Sequence, residues 1–425
     1  MHSSSLPALR KNWAVLYYGG GTNDLQSSIR HAWQQMQGEA LPQNVDLFVQ
    51  HFDSEGHRQE AHFEGGGEQV LLPRSEHPVN SGAGETYRDF LLAGMKRFPA
   101  SHYLVIVGSH GAGADGVVVD EVAGDTLSLQ ELRAGTSSAQ AANHGKPIDM
   151  VLFDACQMGA AETAISLEGT TETMVASLDN VGNSGFHLPT ILREASKADD
   201  SRSLARSLVG NREDQQMRSF RTLAAVDLRD LKPFRSALKD WSEKVSRLDP
   251  EGIEVVRGLV EDARRNSNAP ETQAAFDSIA EDLLAQYPVD LGLLDTWLDG
   301  TRPGQGLALS PFLKGVLESP DLCRDQPQLV ESAKALLEAH DQILVAQRTD
   351  SEEVGGLTLH VPLRNELGPL YAQDDGPMPE IAEAGWESAY DAIVPEGECI
   401  PRKMTWLENE LGPMIPKRPV REIVT

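Results

Sequence analysis

Over roughly the first 230 residues, apolar positions cluster into short runs separated by stretches of helical spacing. The runs are "WAVLYY" from Trp13, "VDLFVQHF" from Val45, "YLVIV" from Tyr103, "MVLFDA" from Met150, "TMVASL" from Thr173 and "RTLAAVD" from Arg221. Consecutive apolar and β-branched residues of this kind suit strands covered on both faces. Between them, "ETYRDFLLAGMKRF" from Glu85 and "SLARSLVGNREDQQM" from Ser203 carry the 3.6-residue period of helices. The alternation predicts an α/β fold with a mainly parallel sheet flanked by helices. Right-handed crossovers would then gather the loops that follow the strands along one sheet edge.

From about Asp230 to His340 the pattern becomes helical, with "LKDWSEKVSRL", "TQAAFDSIAEDLLAQY" and "QLVESAKALLEAHDQILVAQ". A late strand candidate, "GGLTLHVP" from Gly355, either rejoins the sheet or builds a small separate layer. The expected division is therefore an α/β core over residues 1–229, a helical subdomain over 230–350, and a returning strand, helix and tail over 351–425. The last residues, including "PKRPVREIVT", are rich in Pro and charge.

Composition narrows the functional classes. The chain has 425 residues, 40% of them hydrophobic, and a formal net charge of −27. That charge works against nucleic acid and anionic membranes, which bind through Lys and Arg clusters. It serves solubility, and it also suits a basic substrate. No apolar run approaches the roughly 18 residues of a membrane helix, and "MHSSSLPALRKNW" lacks the apolar stretch of a secretory signal. The expected location is cytoplasmic. Three cysteines, Cys156, Cys323 and Cys399, offer neither a disulfide framework nor zinc-site spacing.

Two loops at strand ends carry the candidate chemistry: "GSHGAG" after Tyr103–Val107 and "FDACQMGAAE" after Met150–Leu152. If their strands are parallel neighbours, His110 and Cys156 meet at one edge. A thiolate attacks carbonyl carbon, and an imidazole can accept the thiol proton and later protonate a leaving amine. Gly111 lets the backbone approach closely and offers its N–H, beside that of Cys156, to an oxyanion. A cysteine after an apolar strand is commonly a small core residue, and a histidine at a strand end commonly a satisfied polar one. Their joint occurrence, 46 positions apart with His110 in a His-Gly pair, favours chemistry.

These blocks resemble the clostripain family of cysteine peptidases, relatives in fold of caspases, legumains and gingipains. "YLVIVGSHGAG" and "IDMVLFDACQMGAAETA" are similar to the family's His-Gly and Asp-Ala-Cys-x-Met blocks. "NWAVLYYGGGTNDL" is similar to its opening strand and Asn/Asp-rich turn, and "TMVASLDNVGNSGF", "TLAAVDL" and "GGLTLHVP" to later blocks. The resemblance implies a caspase-like core and a cysteine endopeptidase cutting after Arg or Lys, with His110 as general base and acid and Cys156 as nucleophile. It also makes Gly111 and Cys156 the oxyanion donors. Asp154 matches an acidic position of the family's S1 pocket, where a desolvated carboxylate can pair with guanidinium; alternatively it caps a helix starting near Gln157. Asp179 lies where family members carry polar or acidic residues and adds a second carboxylate to that pocket.

Gln157 stands where Leu is usual, and "LDNVGNSGF" with Phe186 replaces a segment with Glu and a Gly-Trp pair. Some members are cut between the two blocks, and "ELRAGTSSAQAANHGKPID" offers Arg133 in what reads as an exposed Gly/Ser/Ala-rich loop, whereas Lys146 precedes Pro147. No cofactor is required. Calcium dependence is known in the family, but no loop has convincing ligand spacing. The expected partners are basic protein or peptide substrates and a regulatory protein.

Other readings fit less well. "GAGADG" is a literal G-x-G-x-x-G, but the following "VVVDEVAG" does not open a helix for a pyrophosphate. "HGAG" is similar to a lipase oxyanion loop, yet no G-x-S-x-G supplies a nucleophile. The rival from another class is an inactive or tightly regulated caspase-like binding module.

Overall fold

The computed structural model describes residues 11–36, 39–66, 69–182, 185–211, 220, 222–267, 306–349, 355–361 and 379–394. Thirteen strands occur among them: β1 (Lys11–Gly19), β2 (Val45–Phe52), β3 (Arg58–Phe63), β4 (Gln69–Leu71), β5 (Ala100–Gly108), β6 (Val117–Asp120), β7 (Asp125–Leu127), β8 (Ile148–Asp154), β9 (Thr171–Ala176), β10 (Thr222–Asp227), β11 (Gly306–Ala308), β12 (Leu344–Thr349) and β13 (Thr358–His360). Nine form one sheet in the order β12-β10-β9-β8-β5-β1-β2-β3-β4. The five central strands, β2-β1-β5-β8-β9, run parallel. The strands added at both sides are antiparallel.

The alternating side chains of the central strands explain why both faces are covered. Leu16, Tyr18, Val105, Val107, Val151 and Phe153 enter one core cluster, and Val15, Tyr17, Leu104, Ile106, Met150 and Leu152 enter the other. Period 2 with apolar residues at every position needs a helical layer on each side. The second face is covered by Ile29 of α1 (Gln26–Gln34), together with Ile191 and Leu204 from the later helices Leu188–Ala195 and Ser201–Gly210. The first is covered by α2 (Gly84–Arg97), α3 (Leu129–Ala142) and α4 (Ala161–Leu167).

Trp241, Phe312, Leu336 and Trp386 belong to the same core cluster as Leu16 and Val105. Strand β12, expected as the end of a helix, pairs with β10 in the main sheet. "GGLTLHVP" takes the second of its two expected courses: β13 pairs with β11 in a small two-stranded layer. All of "TQAAFDSIAEDLLAQY" and the C-terminal tail lie outside the described residues.

The expected exposed loop around Arg133 is instead α3. Ser128 and Glu131 form a reciprocal capping box that starts this helix. Gly135 then allows close packing, since a Cβ there would lie 2.6 Å from the Tyr87 ring on α2. Arg133 itself is anchored: its guanidinium donates to the carbonyls of Ser166 and Glu168 and to the carboxylate of Glu380. Gly/Ser/Ala composition marked a loop, but capping and small-residue helix packing decided otherwise.

Candidate active site

The chain leaves β1 for β2 on one side and later returns to place β5 on the other side of β1. In an open α/β sheet, the carboxyl ends of strands flanking such a reversal bound a crevice. Register brings three loops to it, because Gly19 pairs with Gly108 and Gly108 with Asp154. A cleft there is lined by Tyr17, Leu25, Ser109, His110, Asp154, Cys156 and Val181, among others. His110 and Cys156 thus share one cleft.

The histidine loop is tied down on both sides. Ser109 donates its hydroxyl to the Gly20 carbonyl and accepts from Asn23, whose amide also donates to the Val119 carbonyl. After His110 the chain makes a 3₁₀ turn, Gly113–Asp115, and enters the β6–β7 hairpin. This geometry explains why the literal G-x-G-x-x-G opens no helix. Gly111 faces Val117 in a bridge whose hydrogen bonds run from Val118 to His110 and from Ala112 to Gly116. That pattern leaves the N–H of Gly111 outside the pairing. A Cβ at Gly111 would lie 2.4 Å from the Cys156 carbonyl oxygen, so only glycine permits this approach.

The cysteine loop turns sharply: Gln157 has φ of 60°, a left-handed conformation uncommon for a side-chain-bearing residue. The turn is held from two directions. Gln157 donates its backbone N–H to Asp179 and its side-chain amide to Asn180, while Gly159 donates to Ser177 and accepts from Thr358 of β13. No helix starts at Gln157; the next is α4, with Ala160 at its N-cap. Asp154 therefore is not a helix cap.

Asp154 instead faces the cleft and accepts the N–H of Phe186. No cationic side chain bonds to it among the described residues. Burial pushes its carboxyl up to about 6, only partly offset by the Phe186 amide. The nearby hydroxyl of Tyr17 is held protonated by burial and then by the Asp154 charge. Phe186 is itself fixed by stacking on Phe220 with ring centroids 3.9 Å apart.

The expected second carboxylate does not join the cleft wall. Asp179 is absent from the cleft lining; its Oδ1 accepts the N–H of Asn180. It acts on Cys156 through its charge. Burial raises the Cys156 thiol above its ordinary value, Asp179 and Asp154 raise it further, and the Val181 amide opposes them. The sulfur accepts the Val181 N–H at 3.3 Å.

No hydrogen bond joins the His110 ring to Sγ. Nε2 of His110 is 2.6 Å from Oδ1 of Asp24, on the loop after β1. Sequence reasoning passed over Asp24. Its one signal was the Asn/Asp-rich turn "TNDL" after the first strand, which acquires meaning only when β1 is known to border β5. Among the described residues no group of three or more His, Cys, Asp or Glu side chains could hold a metal ion.

This arrangement can perform acyl transfer: a thiol and an imidazole line one cleft, with the Asp154 carboxylate beside them and the Gly111 N–H left outside the bridge to Val117. The clostripain family profile matches residues 22–293. Comparison with curated proteins returned no significant match. Among solved structures, a secreted C11 cysteine protease from Bacteroides thetaiotaomicron bound to an irreversible peptide inhibitor superimposes with a TM-score of 0.52 at 14% identity, covering 89% of this chain and 99% of that one. An inactive zymogen C11 protease from Parabacteroides distasonis gives 0.52 at 16% identity, over 92% and 100%. At such identities these structures establish the likeness of fold. The family match spans well over half of the chain, and the protein belongs to the clostripain family of cysteine peptidases.

Proposed function

We propose that this peptidase is an endopeptidase that cuts after Arg or Lys, with Asp154 as the acceptor of the basic P1 side chain. The observation that carries this reading is the Asp154 carboxylate, which faces the cleft two residues before Cys156 with a backbone amide as its bonded partner and no cation among the described residues. A guanidinium or ammonium entering the cleft would supply the missing countercharge.

In the first step Sγ of Cys156 attacks the scissile carbonyl carbon, and Nδ1 of His110, the ring nitrogen not engaged by Asp24, takes the thiol proton. The N–H groups of Gly111 and Cys156 receive the negative charge on the carbonyl oxygen. Collapse breaks the C–N bond, and His110 gives its proton to the leaving amine. Water, deprotonated by His110, then hydrolyses the thioester and restores the thiol. The test is turnover of fluorogenic peptides ending in Arg, Lys or a neutral residue, by wild type and Cys156→Ala. Turnover of basic peptides that disappears in the variant supports the proposal, and turnover of neutral peptides alone rejects the assigned pocket.

A tightly regulated form of the same enzyme is favoured by one observation. The thiol is engaged by the Val181 N–H and makes no hydrogen bond to the His110 ring, so the sulfur must leave Val181 before it attacks. A lag in turnover that shortens as substrate concentration is raised, or that a protein activator abolishes, would distinguish this form from a constitutively competent one.

A further inference from the structure

We infer that Asp24 is a positioning residue that fixes the tautomer of His110, holding the ring proton on Nε2 so that Nδ1 keeps its lone pair for the Cys156 thiol. The inference rests on the proposed roles of His110 and Cys156. Its basis is the 2.6 Å contact between Nε2 and Asp24 Oδ1. A carboxylate can only accept, so the neutral ring must be protonated at Nε2 to make this bond. The other nitrogen is then left as the acceptor.

The scaffold behind the contact is rigid and independent of Asp24. Asn23 bonds Ser109, the residue before His110, and its Oδ1 accepts the N–H of Leu25. The Gly20 amide donates to the Gly108 carbonyl. The loop after β1 and the loop after β5 therefore move as one piece, and Asp24 projects from it onto the ring. Its side chain is 77% exposed and that of His110 39% exposed in the substrate-free cleft. Leu25 and Ser28 line the same cleft, so an occupying peptide would shield the pair from water. A contact that is weak in solvent becomes stronger where the reaction occurs.

The chemistry predicts different results for different replacements. Asp24→Asn keeps an acceptor oxygen, whereas Asp24→Ala removes it. The Ala variant should lose roughly ten-fold in kcat on an Arg peptide, a fraction of what general base catalysis contributes, with KM within two-fold, and the Asn variant should recover most of that loss. Nitrogen-15 NMR of histidine-labelled protein, assigned with His110→Gln, should report one Nε2–H tautomer in wild type and Asp24→Asn and a tautomer mixture in Asp24→Ala. An unchanged kcat in Asp24→Ala, a loss that Asn does not recover, or an unaltered tautomer signal would overturn the inference. The NMR measurement needs no turnover, so it stands even if the proposed substrate class is wrong, while inactivity of wild type on every basic peptide would refute that class alone.

Discussion

The backbone amide of Val181 points at the sulfur of Cys156, 3.3 Å away, and the loop that carries it is anchored at both ends, by Gln157 near its start and by Phe186 against Asp154. A nucleophile covered in this way is buried next to two carboxylates, and both burial and charge favour the thiol over the thiolate. At pH 7, iodoacetamide should therefore alkylate Cys156 in the resting enzyme more slowly than it alkylates a small free thiol. Its rate should still climb as pH rises above about 9. Mass spectrometry would separate this site from the exposed thiol of Cys323. A rate that levels off below pH 8 would contradict the covered-thiol picture.

Replacing Asp154 by Asn should lower kcat/KM for an Arg peptide by on the order of 100-fold, the scale of losing one partner of a buried charge pair. Peptides with neutral P1 residues should change little. Steady-state kinetics on matched substrates measures both. Equal losses on both classes would assign Asp154 a structural role only.

Asp154 also carries a pH signature. Its carboxyl titrates at about 6 in the fold against an ordinary 3.8, so between these values the folded chain binds more protons than the unfolded one. Its ionisation consequently costs stability above about pH 6 and nothing below the unfolded value. Asp154→Asn should raise stability at pH 8 by on the order of 2 kcal/mol and lose that gain by about pH 4. Denaturant titrations at the two pH values test the sign. Because a bound cation favours the carboxylate, kcat/KM for basic substrates should fall as the pH drops through about 6.

Gly185 guards access to the same carboxylate. It has φ of 58°, and a Cβ there would lie 2.5 Å from Asp154 Oδ2. Gly185→Ala should raise KM for Arg peptides at least several-fold by strain and by covering the carboxylate. Retained KM with normal folding would show that P1 side chains do not approach from this side.

Arg133, the cut site that the family resemblance offered beside uncut activity, sits within a capped helix with its guanidinium bonded to three carbonyls and Glu380. Intact-mass analysis after prolonged incubation should find no cut after Arg133. Arg133→Ala should instead lower thermal stability, by about 1 to 2 kcal/mol, as expected when a charged group with several acceptors is removed. A fragment ending at Arg133 would reverse this assignment.

The strand–helix alternation and the paired "GSHGAG" and "FDACQMG" loops were legible because they depend on local pattern: apolar runs mark buried strands, and loops that follow parallel strands share an edge. Asp154 was singled out by the family resemblance, two residues before Cys156. Short strands such as β3, β4, β6 and β7 were missed, since runs of three to six residues carry little periodicity. Strand β12 was hidden because its residues continue the apolar pattern of the preceding helix.

By itself, then, the sequence determined the α/β class and the thiol and imidazole that line the cleft, and the family resemblance pointed to Asp154 beside them. Tertiary structure decided which neighbours those groups meet: Asp24 on His110, Val181 on Cys156, Thr358 beneath the cysteine loop, and Asn180 on the Asp179 carboxylate. The physical reason is range. Periodicity and loop position are properties of a few successive residues, whereas these contacts join segments up to about 200 positions apart and exist only once the order of strands in the sheet is set.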